Sequence, residues 1–129
     1  AQLLNNSDIK CTEITEYIDF PEILDGRVKT LHPKIYGGIL NKRDDPNHHK
    51  DLVNNNISNI DIVIVNLYPF EENNTIENID IGGVSLIRAA AKNYKDILVV
   101  TDVNDYDFIN LVTFAKALTF LIFRSTSAK

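Results

Sequence analysis

The 129 residues carry 18 Asp and Glu against 13 Lys and Arg, a net charge of -5, with 44% apolar and 24% charged side chains. That is room for one domain with a proper core, and the acidic balance argues against a nucleic-acid binder, which needs a basic face for phosphates. No apolar run approaches the ~20 residues that span a bilayer. AQLLNNSDIK lacks the basic and apolar regions of a secretory signal, and Cys11 stands alone, which fits a reducing cytoplasm.

In chain order, AQLLNN reads as the end of a helix whose beginning is missing, and IKCTEI as a short strand. Glu16 to Gly38, rich in Gly and Pro and without a sustained period, reads as a long structured loop anchored by Phe20, Leu24, Val28 and Leu31. DDPNHHKDLVNNN predicts a turn and a short helix from Pro46. IDIVIVNLY is almost wholly apolar and β-branched, the pattern of a strand buried on both faces of a parallel sheet, and Pro69 stops it. EENNTIENID is a polar connection.

IGGVSLIRAAAKN predicts a helix entered through two glycines and ending near Asn93. KDILVVTD repeats the buried-strand pattern, and NDYDFINLVTFAKAL predicts a helix capped by Asn104 or Asp105. Buried strands alternating with helices give one α/β domain with a mostly parallel sheet and right-handed crossovers.

Four places carry candidate chemistry. Ligands of open α/β sheets bind beyond the carboxyl ends of strands, which selects Asn66 and Tyr68, residues that would otherwise start a turn and close the core. In DIGGVSLIRAAAKN, the glycines permit close backbone approach and the first helical amides favour an anion, while Asp80 can take a ligand hydrogen bond or cap the turn. Ser85, Arg88 and Lys92 share one helix stripe, whether turned to a ligand or to solvent. In DGRVKTLHPKIYGG, Arg27 can grip a phosphate with its planar fork, Lys29 supplies a mobile charge or proton, and Thr30 adds a hydroxyl. Extended backbone would turn Arg27 and Lys29 to one side and Val28 to the other. DDPNHHKD sets His48 and His49 beside Asp44 and Asp45. Neighbouring histidines diverge and no metal-ligand spacing is present, so this run reads as surface, with no metal.

Taken in order, FPEILDGRVKTLHPKIYGGIL, IVIVNLYPF, IDIGGVSLIRAAAKN and VVTDVNDY resemble the IMP cyclohydrolase domain of the bifunctional purine-biosynthesis protein, AICAR transformylase/IMP cyclohydrolase. The resemblance covers roughly residues 3 to 109, and 110–129 is expected to be an atypical C-terminal helical segment. It implies a methylglyoxal synthase-like, three-layer α/β domain with a parallel sheet. The implied reaction is dehydrative closure of the purine ring of 5-formamidoimidazole-4-carboxamide ribotide (FAICAR) to IMP. GRVKT would then hold the nucleotide through Arg27, Val28, Lys29 and Thr30. Asn66 and Tyr68 would lie beside the base, Asp80, Ile81 and Gly82 would complete the pocket, and Lys92 would be the proton donor or acceptor. Lys29, Tyr68 and Asp80 are the further catalytic candidates.

The family begins with a strand, a serine- and lysine-bearing loop and a glycine-threonine loop, none of which precedes Ala1, and the transformylase domain does not follow. The resemblance implies a homodimer, with the apolar tail around Phe114 to Phe123 in the interface, and no cofactor. Methylglyoxal synthase itself uses other motifs on this fold, and a structural interaction domain would not explain charge at each ligand-facing loop. A regulatory module that binds the ribotide without turning it over is the alternative.

Overall fold

The computed structural model describes residues 11–72, 74–106 and the backbone of 120–124. Its elements are α1 (Ile14–Ile18), α2 (Pro33–Leu40), α3 (Pro46–Asn54), β1 (Ile62–Asn66), a 3-10 turn (Ile76–Asn78), α4 (Gly82–Lys92), β2 (Leu98–Val100), a second 3-10 turn (Val103–Asp105) and β3 (Phe120–Arg124). The strands form one parallel sheet in the order β2-β1-β3.

The central strand obeys its sequence. Ile62, Val63, Ile64 and Val65 are all buried. Side chains alternate across a strand, so Val63 and Val65 join Ile35, Ile39, Leu86, Ala89 and Ala90 on the face covered by α2 and α4. Ile62 and Ile64 meet Val100, Leu98 and Tyr106 on the other. The strand ends at Asn66, earlier than Pro69 alone required.

Three expectations change. The loop reading of Glu16 to Gly38 fails at both ends, where α1 and α2 form. Pro33 starts α2 from the first turn, and the His32 side chain accepts the Lys34 N–H at 3.2 Å. Gly37 and Gly38 sit inside this helix because neighbours press on it. A Cβ on Gly38 would lie 2.6 Å from the Ser58 carbonyl oxygen, and one on Gly37 3.0 Å from Ile57. Residues 11–13 are not in a strand, and the rest of IKCTEI up to Lys10 lies outside the described residues, as does AQLLNN.

The expected helix from Asn104 shows only its start. Asp102 caps the 3-10 turn, accepting the Asn104 N–H at 2.8 Å, which is separate from the cap expected for the helix at Asn104 or Asp105. Residues 107–119 lie outside the described residues. Within the segment expected to be helical, Phe120–Arg124 is a strand paired in parallel with β1. FLIFR is short, apolar and aromatic, which suits a covered strand as well as it suits a helix, and partnership with β1 decides between them.

Candidate functional site

At and beyond the carboxyl end of β1 lie Asn66 and Tyr68, the first of the residues singled out by the sequence. Asn66 ends β1, and its side-chain oxygen accepts from the Tyr106 hydroxyl at 3.0 Å. Tyr68, two residues on, lines a pocket of about 340 Å³ together with Leu67, Phe70, Asn78, Ile79, Asp80 and Val84. That volume falls within the range of small-ligand sites, and the walls are chiefly apolar with a few polar groups, as such sites require.

The two glycines at the head of α4 have separate reasons. The Asp80 carboxylate folds back onto the helix start, its Oδ1 accepting the Gly83 N–H at 2.6 Å, and a Cβ on Gly83 would lie 2.6 Å from Oδ2. A Cβ on Gly82 would lie 2.8 Å from the Thr30 hydroxyl oxygen, so Thr30, itself buried, rests directly on the helix. The close approach foreseen for a ligand is made here by two of the protein's own oxygens. Ser85 donates its hydroxyl to the Gly82 carbonyl at 3.0 Å, and the Tyr36 hydroxyl meets Ser85 Oγ at 2.6 Å. Since Ser85 has one proton to give, Tyr36 is the donor in that pair.

The basic segment forms a small hairpin. Ile23 and Val28 pair as an antiparallel bridge, and Leu24, Asp25 and Gly26 turn through positive φ of 54°, 53° and 85°. For Leu24 and Asp25 this is a strained conformation, costing about 1–2 kcal/mol each. Arg27 leaves the turn and pairs with Glu77, on the 3-10 turn leading to Asp80, while Lys29 Nζ lies 2.7 Å from Glu22 Oε2. Val28 between them is half-buried, and so is Lys29, so burial does not alternate along RVK.

Lys92 is elsewhere. It sits ten residues after Gly82 on α4, a separation of roughly 15 Å along the axis at 1.5 Å per residue. There it lines a second groove of about 560 Å³ with Tyr36, Leu40, Arg88, Ala89 and Ala91. Within one chain, then, Tyr68 and Asp80 line one pocket and Lys92 lines another. Ile81 stands exposed just before the helix.

DDPNHHKD is a helix start. Asp45 Oδ1 accepts the Asn47 N–H at 2.9 Å and the His48 N–H at 3.4 Å, and His48 Nδ1 accepts the Lys42 N–H at 2.9 Å. The first of those bonds, to Asn47, is the main reason the Asp45 carboxyl titrates below its ordinary range, with His48 adding to it. Among the described residues, no group of three His, Cys, Asp or Glu is placed to hold a metal ion. Glu22, Glu77, Asn78 and Tyr36 escaped the sequence reading. Glu22 had a signal, four residues before a turn glycine, whereas nothing local links Glu77 to Arg27 fifty positions away.

Residues 1–101 match the MGS-like domain family. The chain belongs to that family. It is 49% identical over 144 aligned positions to the bifunctional purine biosynthesis protein PurH of Lactobacillus acidophilus, covering 97% of this chain and 28% of that protein. With PurH of Prochlorococcus marinus strain NATL1A the identity is 52% over 126 residues, 91% of this chain and 24% of that one. The chain thus spans about a quarter of the curated relatives it matches. Among solved structures it resembles ForH, with a TM-score of 0.74 and 30% identity, over 88% of this chain and 62% of that one. An α/β, methylglyoxal synthase-like fold follows from these matches and from the parallel sheet. Among the described residues no helix is long and apolar enough to cross a membrane.

Proposed function

We propose that this domain closes the purine ring of FAICAR to give IMP and water, one step of purine biosynthesis in the cytoplasm. The observation that carries the reading is the pocket beyond β1 that brings Tyr68 and Asp80 together, in a chain about half identical to a region of proteins named for purine biosynthesis. Transformylase activity is not assigned to it.

The ribotide phosphate and sugar lie along Arg27, Lys29 and Thr30, with Val28 packing beneath. The base enters between Tyr68 and Asp80, near Asn66, Ile81 and Gly82. The carboxamide nitrogen attacks the formyl carbon, so negative charge grows on the formyl oxygen, which leaves as water once protonated. A cation or donor aimed at that oxygen lowers the barrier. In this reading Lys29, on the hairpin that would hold the phosphate, and the Tyr68 hydroxyl are the candidate donors. Asp80 keeps one oxygen on the Gly83 amide and offers the other to the carboxamide N–H, holding the nitrogen toward the formyl group. Both reacting groups belong to one molecule, so fixing their conformer supplies much of the rate. The dehydration balances without any organic cofactor or metal.

The resemblance assigns proton transfer to Lys92. The roughly 15 Å along α4 fits that role only if a second copy delivers Lys92, so a homodimer is part of the proposal. Light scattering that finds a monomer under active conditions would remove it. The same separation favours the second reading, a module that binds the ribotide without turnover. The deciding measurement is IMP formation from FAICAR, followed by absorbance, for the chain and for Lys92→Ala. A rate above background, lowered about 10²–10⁴-fold by the variant with ribotide binding kept, supports the enzyme. Binding without turnover supports the module.

A further inference from the structure

Both cations assigned to the ligand's anion are already paired with carboxylates of the chain. Arg27 meets Glu77 with side chains 64% and 69% exposed, and Lys29 meets Glu22 with both 41% exposed. We infer that Glu77 and Glu22 compete with the ligand for Arg27 and Lys29, and so restrict the site to strongly anionic ligands such as a phosphate monoester. The inference rests on the reading that these cations grip a phosphate.

The pairings are built into the backbone. The bridge between Ile23 and Val28 makes Glu22 and Lys29 the next cross-strand neighbours, so their side chains must meet. Glu22 also lies over the turn, its Oε1 2.6 Å from where a Cβ on Gly26 would stand, and Gly26 holds a φ of 85°. On the other side, the 3-10 turn Ile76–Asn78 holds Glu77 immediately before Asn78, Ile79 and Asp80, which line the pocket. The Arg27–Glu77 pair therefore links the hairpin to the pocket wall.

Exposed ion pairs are weak, and a phosphate monoester brings about -1.5 to -2 of charge and three acceptor oxygens against a carboxylate's single charge and two. A phosphate can displace both acids, yet they stay tethered beside it and repel it. A weaker anion gains less from the cations and meets the same repulsion. Discrimination by a built-in repulsive group is a known way to obtain specificity.

The test is titration of ribose 5-phosphate and of ribose, by calorimetry at low ionic strength, into the chain and into Glu77→Gln, Glu22→Gln, Arg27→Ala and Arg27→Ala/Glu77→Gln. All positions are surface side chains, and circular dichroism melts verify folding. Each Gln variant should bind ribose 5-phosphate roughly 1.5- to 5-fold more tightly, with the gain shrinking at higher salt and ribose unaffected. The Glu77→Gln gain should vanish in the Arg27→Ala background. Unchanged or weaker binding in both Gln variants, with Arg27→Ala still weakening it, would overturn this inference alone. An equal gain for ribose would overturn it as well, since the pocket would merely have opened. No loss in Arg27→Ala would remove the phosphate-gripping reading and the inference together.

Discussion

The two ends of the sheet solve opposite problems. At the amino end of β1, polar side chains are spent on backbone carbonyls. Buried Asn41 donates to Gly37 and Gly38 at 3.0 and 2.8 Å, Asn93 donates to Ile39 and Asn41 at 2.8 and 2.9 Å, and Arg43 donates to Ile60 at 2.7 Å while pairing with Asp61. At the carboxyl end, charged side chains meet each other in the open, on a hairpin with three successive residues at positive φ. Buried bonds to backbone fix a shape, because leaving a carbonyl unsatisfied costs about 1–3 kcal/mol. Exposed ion pairs are worth about 0–1 kcal/mol and exchange readily. One end holds, the other can trade partners.

That contrast breaks most sharply in the core beneath both ends. Ile35 is fully buried against the central strand's face, and Ile35→Ala should lower stability by about 2–5 kcal/mol in urea unfolding. At the amino end, Asn93→Ala orphans the carbonyls of Ile39 and Asn41 and should cost about 1–3 kcal/mol. Gly38→Ala, pressed against Ser58 and Ile60, should cost a similar amount by overpacking. If any of these proved as mild as a surface change, the amino end would not be the rigid one.

At the carboxyl end the effects should fall on function more than on folding. Asp80→Ala removes the acceptor of the Gly83 N–H and should cost about 1 kcal/mol in melting experiments, and on the proposed function it should also abolish ribotide turnover. Preserved turnover would deny Asp80 its place in the site.

The smallest effect concerns pH, at a helix start remote from both. The Asp45 carboxyl titrates below its ordinary range, chiefly through the Asn47 amide. A depressed pKa means that its contribution is fully present above the ordinary carboxylate value and is lost as pH falls through the folded one. Amide exchange at Asn47 and His48 should accelerate in that acid window, and Asp45→Asn should remove the pH dependence.

Several elements were legible because one local cause fixed each. The apolar run of β1, the Asp45–Pro46 start of α3, and the glycine entry and Asn93 stop of α4 all follow from patterns within a dozen residues. The segment before them was not legible. Gly37 and Gly38 look like a break, yet they lie in α2, where the Ser58 carbonyl leaves no room for a Cβ on Gly38 and Ile57 crowds Gly37. The glycines reported a packing constraint rather than a turn.

The same division runs through the candidate site. The sequence alone determined which chemical groups are available: GRVKT, the Asn66–Tyr68 step after a buried strand, and the acid before two glycines. Which of them face one another was decided only by the tertiary structure. Packing set Thr30 against Gly82, joined Tyr68 to Asp80 across one pocket and put Glu77 on Arg27. It also left Lys92 at the far end of the helix that begins at that pocket. Residue types and local periods are written along the chain, but contacts between distant segments depend on how a sheet and its helices exclude water together.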